Sequence, residues 1–262
     1  MARDLYLGYR NDDAKTPFGK FFKPEMAPLP PHVVEALQHG PQAGPTLLSF
    51  EDAASIANQG YQQTENGYGM LNDGSMQVSV RTDMPAVTPA MWTWWFGWHG
   101  SDSRRYKLWH PRAHLSARWR DGDDAGRKGE QRYIGRCSMI SEYIGSTMLN
   151  AAIQFVTPTM MGLPGDSDDA VSICARLGSG DVPVDAGWFV HQVRSTQGGA
   201  EMRSRLDGRT THRGAQRPWR GFAGGASHRV AGSWHLGSHR SQSAGALRAG
   251  DESPGGFFAR AL

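Results

Sequence analysis

The stretch Met91–His114, MWTWWFGWHGSDSRRYKLWHPRAH, constrains the fold more than any other part of the chain. It carries five of the nine tryptophans together with His99, His110 and His114. Tryptophans at this density fill a large apolar space, and histidines set among them are poor core residues unless each has a polar partner or a metal. On residue types alone, this is the wall of a pocket with donor atoms in it.

A chain of 262 residues is long enough to bury a substantial core, as one large domain or two small ones. Its formal net charge of +3 conceals a split: from Leu206 onward there are eight arginines, no lysine and three acids, so the rest is mildly acidic. Cys137 and Cys174 are the only cysteines, which implies no disulfide framework and fits a reducing compartment. The first residues are charged throughout, unlike a secretory signal, and no apolar run approaches a membrane span. A soluble cytoplasmic protein is expected.

Residues 1–74 are rich in Pro and Gly and read as a wrapping N-terminal extension with short helices, one in PLPPHVVEALQHG and one over Phe50–Asn58. The period then changes. Asn72-Asp73-Gly74 signals a turn, and Met76, Val78 and Val80 alternate with polar residues in a predicted strand over Ser75–Thr82. Thr88-Pro89 supplies an N-cap and an N1 proline for a helix over Ala90–Trp98, expected to bury Met91, Trp95 and Trp98 with Trp94 at the edge. Arg105–Trp109 and Leu115–Trp119 read as extended, Tyr133–Gly145 and Ala151–Val156 as strands, and Trp188–Arg194 with Ala200–Arg205 as a hairpin. Antiparallel strands, few helices and no βαβ alternation give an α+β fold with its core over 75–205.

The region 206–262 lacks periodicity, isoleucine, methionine and lysine. Two readings fit: a disordered basic tail able to touch nucleic acid, or a slipped reading frame in a GC-rich gene. Back-translation favours the second. Read from the second base of each codon, Ala246–Gly255 allows H-C-A-Q-E-M-S-H-L, an amphipathic text with a His and a Glu four residues apart on one helix face.

Donors also remain in frame. His110 and His114 flank Pro111-Arg112-Ala113, Glu142 shares a predicted strand face with Ile140 and Ile144, and His191 shares one with Phe189 and Val193. A carboxylate on an apolar face needs a cation, hydrogen bonds or a proton. Taken singly, each of these residues is more often a satisfied core group than a ligand. Together, two imidazoles, or an imidazole and a carboxylate, make half a metal site.

TPAMWTWWFGWHG, RYKLWHPRAH, ISEYIG and GWFVHQVRSTQGGAEMRSR resemble the zinc-dependent diacetylphloroglucinol and phloretin hydrolases, over about Pro24 to Arg205. The resemblance implies a helix-grip, Bet v 1-like domain, a curved antiparallel sheet around a long C-terminal helix, and hydrolysis of the carbon–carbon bond between a phenolic ring and an acyl group. Carried over residue by residue, it implies His114 and Glu142 as Zn2+ ligands, Tyr106 and His191 as catalytic groups on the phenolic substrate, and His110 behind the ligands, with the choice between His110 and His114 as direct ligand left open. The family's last two ligands, a His and a Glu four apart on the C-terminal helix, are absent; Ala246 and Gly250 begin the codons that the shifted frame turns into them.

The chain as it stands is therefore expected to have lost its C-terminal helix and to be inactive. The expected partner is a small acylphenol, with a homodimer allowed and neither nucleic acid nor membrane involved. The alternative is a non-catalytic binder of flat aromatic ligands in a helix-grip cavity.

Overall fold

Alternating side chains from Met76 onward build the longest frame of the protein, a sheet whose strands are joined by tight turns. The computed structural model describes residues 7–122, 126–144, 147–180 and 185–208. The strands are β1 (Gly67–Met70), β2 (Met76–Pro85), β3 (His114–Trp119), β4 (Cys137–Ile144), β5 (Thr147–Val156), β6 (Ala170–Ser179), β7 (Asp185–Thr196) and β8 (Gly199–Gly208). All pair antiparallel in one sheet of order β1-β2-β8-β7-β6-β5-β4-β3. Helices α1 (Pro31–His39), α2 (Pro89–His99) and α3 (Ser103–Trp109) complete an α+β fold, the class that the sequence predicts.

Alternation along the central strands gives the sheet two apolar faces. Ile173, Phe189, Val193 and Met202 pack with Trp92, Trp95 and Phe96 of α2. On the reverse face, Cys174, Trp188 and Val190 pack with Leu48, Ala53 and Ile56 of the N-terminal arm. Charge straps the arm down. Glu65 takes hydrogen bonds from Arg203 (2.5 and 3.1 Å) and Arg205 (2.7 Å), two guanidinium groups at most 1% exposed.

Several expectations change. Arg105–Trp109 is helical, not extended, because Asp102 caps α3: its carboxylate accepts the Arg104 N–H at 2.9 Å and pairs with the Arg104 guanidinium. The face that α2 buries is Trp92, Trp95, Phe96 and His99, while Trp94 is 43% exposed and stacks on Trp98. Met91 and Trp98 are only half-buried, since the helix packs on a sheet one register step away from the predicted stripe. Strand β4 begins at Cys137 rather than Tyr133, whose ring closes the core after a short 3-10 turn at Gly129–Arg132.

Strands β1 and β6 were not predicted. β6 is buried on both faces, so its apolar run carries no period of two. Finally, Leu206, Asp207 and Gly208 continue β8, pairing with β2 and β7, so the sheet runs three residues into the segment expected to be tail. The expected C-terminal helix, its loss to a frame slip and the remaining basic tail lie outside the described residues. Among the described residues, no helix is long and apolar enough to cross a membrane.

Candidate functional site

The corner between α3 and β3 sets the geometry. His110 ends α3, and its backbone carbonyl accepts the His114 N–H at 2.9 Å while its Nδ1 accepts the Ala113 N–H at 3.1 Å. These bonds fold Pro111-Arg112-Ala113 into a tight turn that delivers His114 to the first position of β3. There the ladder slips. His114 pairs with Glu142, but Ser116 pairs with Ser141 and Ala117 with Ile140, leaving Leu115 as an extra residue. Without that bulge, His114 and Ala117 would lie on opposite faces; with it, His114 turns to the face that Glu142 and Ile140 share.

His114 Nε2 then stands 3.5 Å from Glu142 Oε2. The Tyr106 hydroxyl donates to the same carboxylate oxygen at 2.7 Å, and the Tyr106 ring stacks on His114 with centroids 3.7 Å apart and planes 1° from parallel. The backbone carbonyl of Tyr106 accepts from His114 Nδ1 at 2.9 Å. A carbonyl oxygen can only accept, so the ring proton sits on Nδ1 and Nε2 presents its lone pair to Glu142.

Burial, reinforced by nearby His110, holds the His114 imidazole well below its usual pKa and therefore neutral. Burial also raises the Glu142 carboxyl, opposed by the Tyr106 hydrogen bond, and burial with the Glu142 charge pushes the Tyr106 phenol well up. Tyr106 is thus a protonated donor.

His191 sits on the same side of the sheet, four strands away from β3. Its Nδ1 lies 2.8 Å from Ser204 Oγ, and burial lowers its pKa to about 3. Trp109 links it to the rest, meeting His99, His114 and His191 roughly edge-on at 5.5, 5.6 and 6.0 Å. The structure therefore gathers Tyr106, His114, Glu142 and His191 around one aromatic enclosure, with the His110 ring 5.5 Å from that of His114. His99 also belongs there. It was legible as one helical turn after Trp95, yet the sequence pattern gave it no role.

A lone pair and a carboxylate oxygen 3.5 Å apart can be bridged by a proton or by a cation. The spacing fits one metal: two tetrahedral ligands with bonds of about 2.0–2.1 Å lie about 3.3 Å apart. The Nδ1–H bond to a backbone carbonyl is the support a ligating histidine normally has. Among the described residues, however, no group of three or more His, Cys, Asp or Glu could hold a metal, so His114 and Glu142 by themselves do not make a metal site. Two surface clefts of about 320 and 500 Å³ are lined by the N-terminal arm and its surroundings, and neither contains any of these residues.

Fold and site together define an antiparallel α+β protein with a histidine–carboxylate–phenol cluster beside Trp109. The family model described as "DAPG hydrolase PhiG domain" matches residues 47–213. The chain belongs to that DAPG hydrolase family. It is 32% identical over 213 residues to a 2,4-diacetylphloroglucinol hydrolase of Pseudomonas protegens, covering 77% of this chain and 68% of that protein. A phloretin hydrolase of Eubacterium ramulus is 35% identical over 115 residues, 43% of this chain and 42% of that one. Among solved structures, Ara h 8.0201 matches with a TM-score of 0.35 at 10% identity, covering 55% of this chain and 83% of that one.

Proposed function

We propose that the protein is a zinc-dependent hydrolase that cleaves the carbon–carbon bond between a phenolic ring and an acyl group, on a substrate like diacetylphloroglucinol or phloretin. The observation that carries this reading is the His114–Glu142–Tyr106 cluster, in a family whose relatives are named as hydrolases of 2,4-diacetylphloroglucinol and of phloretin. His114 Nε2 and Glu142 Oε2 would hold the metal. When bound, zinc supplies Lewis acidity toward the acyl carbonyl or water.

The chain's own residues handle the ring. An aryl carbanion is a very poor leaving group, so the ring must shift to its keto form and take a proton at the carbon bearing the acyl group. His191, held through its Nδ1 contact with Ser204 Oγ, would hydrogen-bond the phenolic hydroxyl whose proton moves to the ring carbon in that shift. Tyr106, protonated and donating to Glu142, would accept a hydrogen bond from a substrate hydroxyl through its remaining lone pair. The tryptophans pack on the flat ring and exclude water. Water supplies the balance: its hydroxyl ends on the acyl carbon as a carboxylic acid, and its hydrogen replaces the acyl group on the ring.

The chain after Gly208 contains no His-x-x-x-Glu, the spacing that the family resemblance requires for the other two ligands. We therefore read this chain as lacking turnover, and as a binder of flat phenols until its frame is restored. The test is to sequence the gene across codons 200–215, remove one base there, and compare both products. The restored product is expected to hold one zinc per chain and to release acetic acid from 2,4-diacetylphloroglucinol, and the unmodified chain to do neither. A restored product that holds zinc without hydrolysing any acylphenol would defeat the proposal.

A further inference from the structure

His99 is the last residue of α2 and is 5% exposed. It is walled by the rings of Trp95 (5.1 Å, stacked), Phe96 (4.9 Å, edge-on), Trp109 (5.5 Å, edge-on) and Tyr106 (6.0 Å, 20° between planes). Its Nδ1 bonds the Trp95 carbonyl oxygen at 2.9 Å, one turn back in the same helix. That oxygen can only accept, so Nδ1 carries the proton and Nε2 is a bare acceptor. Among the described residues, Nε2 has no hydrogen-bond partner. Close by, the buried Nε1–H of Trp109 has none either.

A buried donor without a partner, as at Trp109, is costly unless a ligand meets it, and the Nε2 acceptor of His99 faces the same ring. We propose that His99 is a specificity-determining, substrate-contacting residue that accepts a hydrogen bond from a ring hydroxyl of the phenol, with Trp109 donating to an oxygen of the same ligand. This rests on the acylphenol reading above and names the part of the substrate that the site selects. Because Nδ1–H is committed to Trp95, Nε2 rewards a neutral hydroxyl and offers nothing to an aryl ether. A site built to bond a hydroxyl discriminates strongly against the analogue that lacks it.

The experiment uses the full chain and the quenching of its tryptophan fluorescence, with two probes: 2,4-diacetylphloroglucinol and its fully O-methylated ether. The unmodified chain is expected to bind the hydroxylated probe at least about tenfold more tightly. In His99→Phe, affinity for the hydroxylated probe falls by about that factor while affinity for the ether holds, and His99→Gln, which keeps an acceptor, recovers part of the loss. A steric preference would persist in His99→Phe, so undiminished discrimination there overturns the role of His99 and leaves the acylphenol reading intact. Failure of the unmodified chain to bind either probe overturns both. Should His99→Phe not fold, the 15N resonance of His99 Nε2 in the unmodified chain decides: displacement by the hydroxylated probe supports the contact, and no displacement at saturation rules it out.

Discussion

His114 stands directly across from Glu142 in the β3–β4 ladder, and the extra residue Leu115 is what puts the two on one face. The pair is further tied by Tyr106, whose carbonyl fixes the His114 tautomer and whose hydroxyl holds Glu142. One residue of α3 thus orients both groups. The site is preorganised by backbone geometry as much as by side-chain packing.

Tyr106→Phe tests that arrangement. It keeps the ring stacked on His114 but removes the donor to Glu142, so burial pushes the carboxyl further above its usual range. The expected outcome is a higher Glu142 pKa by carbon-13 carboxyl titration and a loss of about 1–3 kcal/mol in denaturant unfolding. An unchanged Glu142 titration would mean that the 2.7 Å bond does not govern the carboxylate.

His99, which is buried, and His191, which is half-buried, make stability depend on pH in a definite direction. Burial lowers His99 to about 4 and His191 to about 3, whereas unfolded imidazoles titrate near about 6.5. Between those values the unfolded chain binds more protons, so their contribution is full above about pH 6.5 and is lost as pH falls, by about 1.4 kcal/mol per unit for each histidine. Asp166 works the other way. Burial raises it to about 6, so its contribution is present below the unfolded value near about 3.9 and is lost as pH rises through 6. From pH 6 to 4 one carboxyl offsets one imidazole, leaving a net acid loss of about 1.4 kcal/mol per unit from these three groups. Urea midpoints measured from pH 7 to 4.5 should fall accordingly, and His99→Phe should flatten the fall. A midpoint independent of pH would contradict the neutral burial of these rings.

Much of this was legible because it is local. Alternation in ISEYIG placed Glu142 on an apolar face, Thr88-Pro89 opened α2, and the hairpin containing His191 followed from its glycines, Gly198 adopting φ +90° at the turn. The features that local pattern does not encode depend on partners remote in sequence. The bulge at Leu115 exists only against β4, and the continuous burial of β6 comes from lying between β5 and β7. The burial of Trp92 and Phe96 in place of Met91 and Trp98 reflects where the sheet meets α2, which no periodicity within one short helix can fix. The role of the arm was equally hidden, because Glu65 finds its arginines more than a hundred residues away.

Glu65→Gln tests that last relationship. Arg203 and Arg205 are buried beneath the arm, and Glu65 is the carboxylate that both of them bond. Against the cost of burial, the Arg203 hydrogen bond and the Arg205 charge hold its carboxyl down at about 2. Its contribution is therefore present above the unfolded value near about 4.3 and disappears as pH falls toward 2. The amide keeps the shape but leaves two buried guanidinium groups without that counter-charge, a change that typically costs about 3–5 kcal/mol. Because Arg203 also donates to the Ile56 carbonyl at 2.6 Å, the arm should loosen with the sheet. Faster amide exchange at Ala53–Ala57, together with a lower denaturant midpoint at pH 7, is the expected result. Exchange at those amides unchanged in Glu65→Gln would show that apolar contacts of Leu48, Ala53 and Ile56 alone hold the arm against β7.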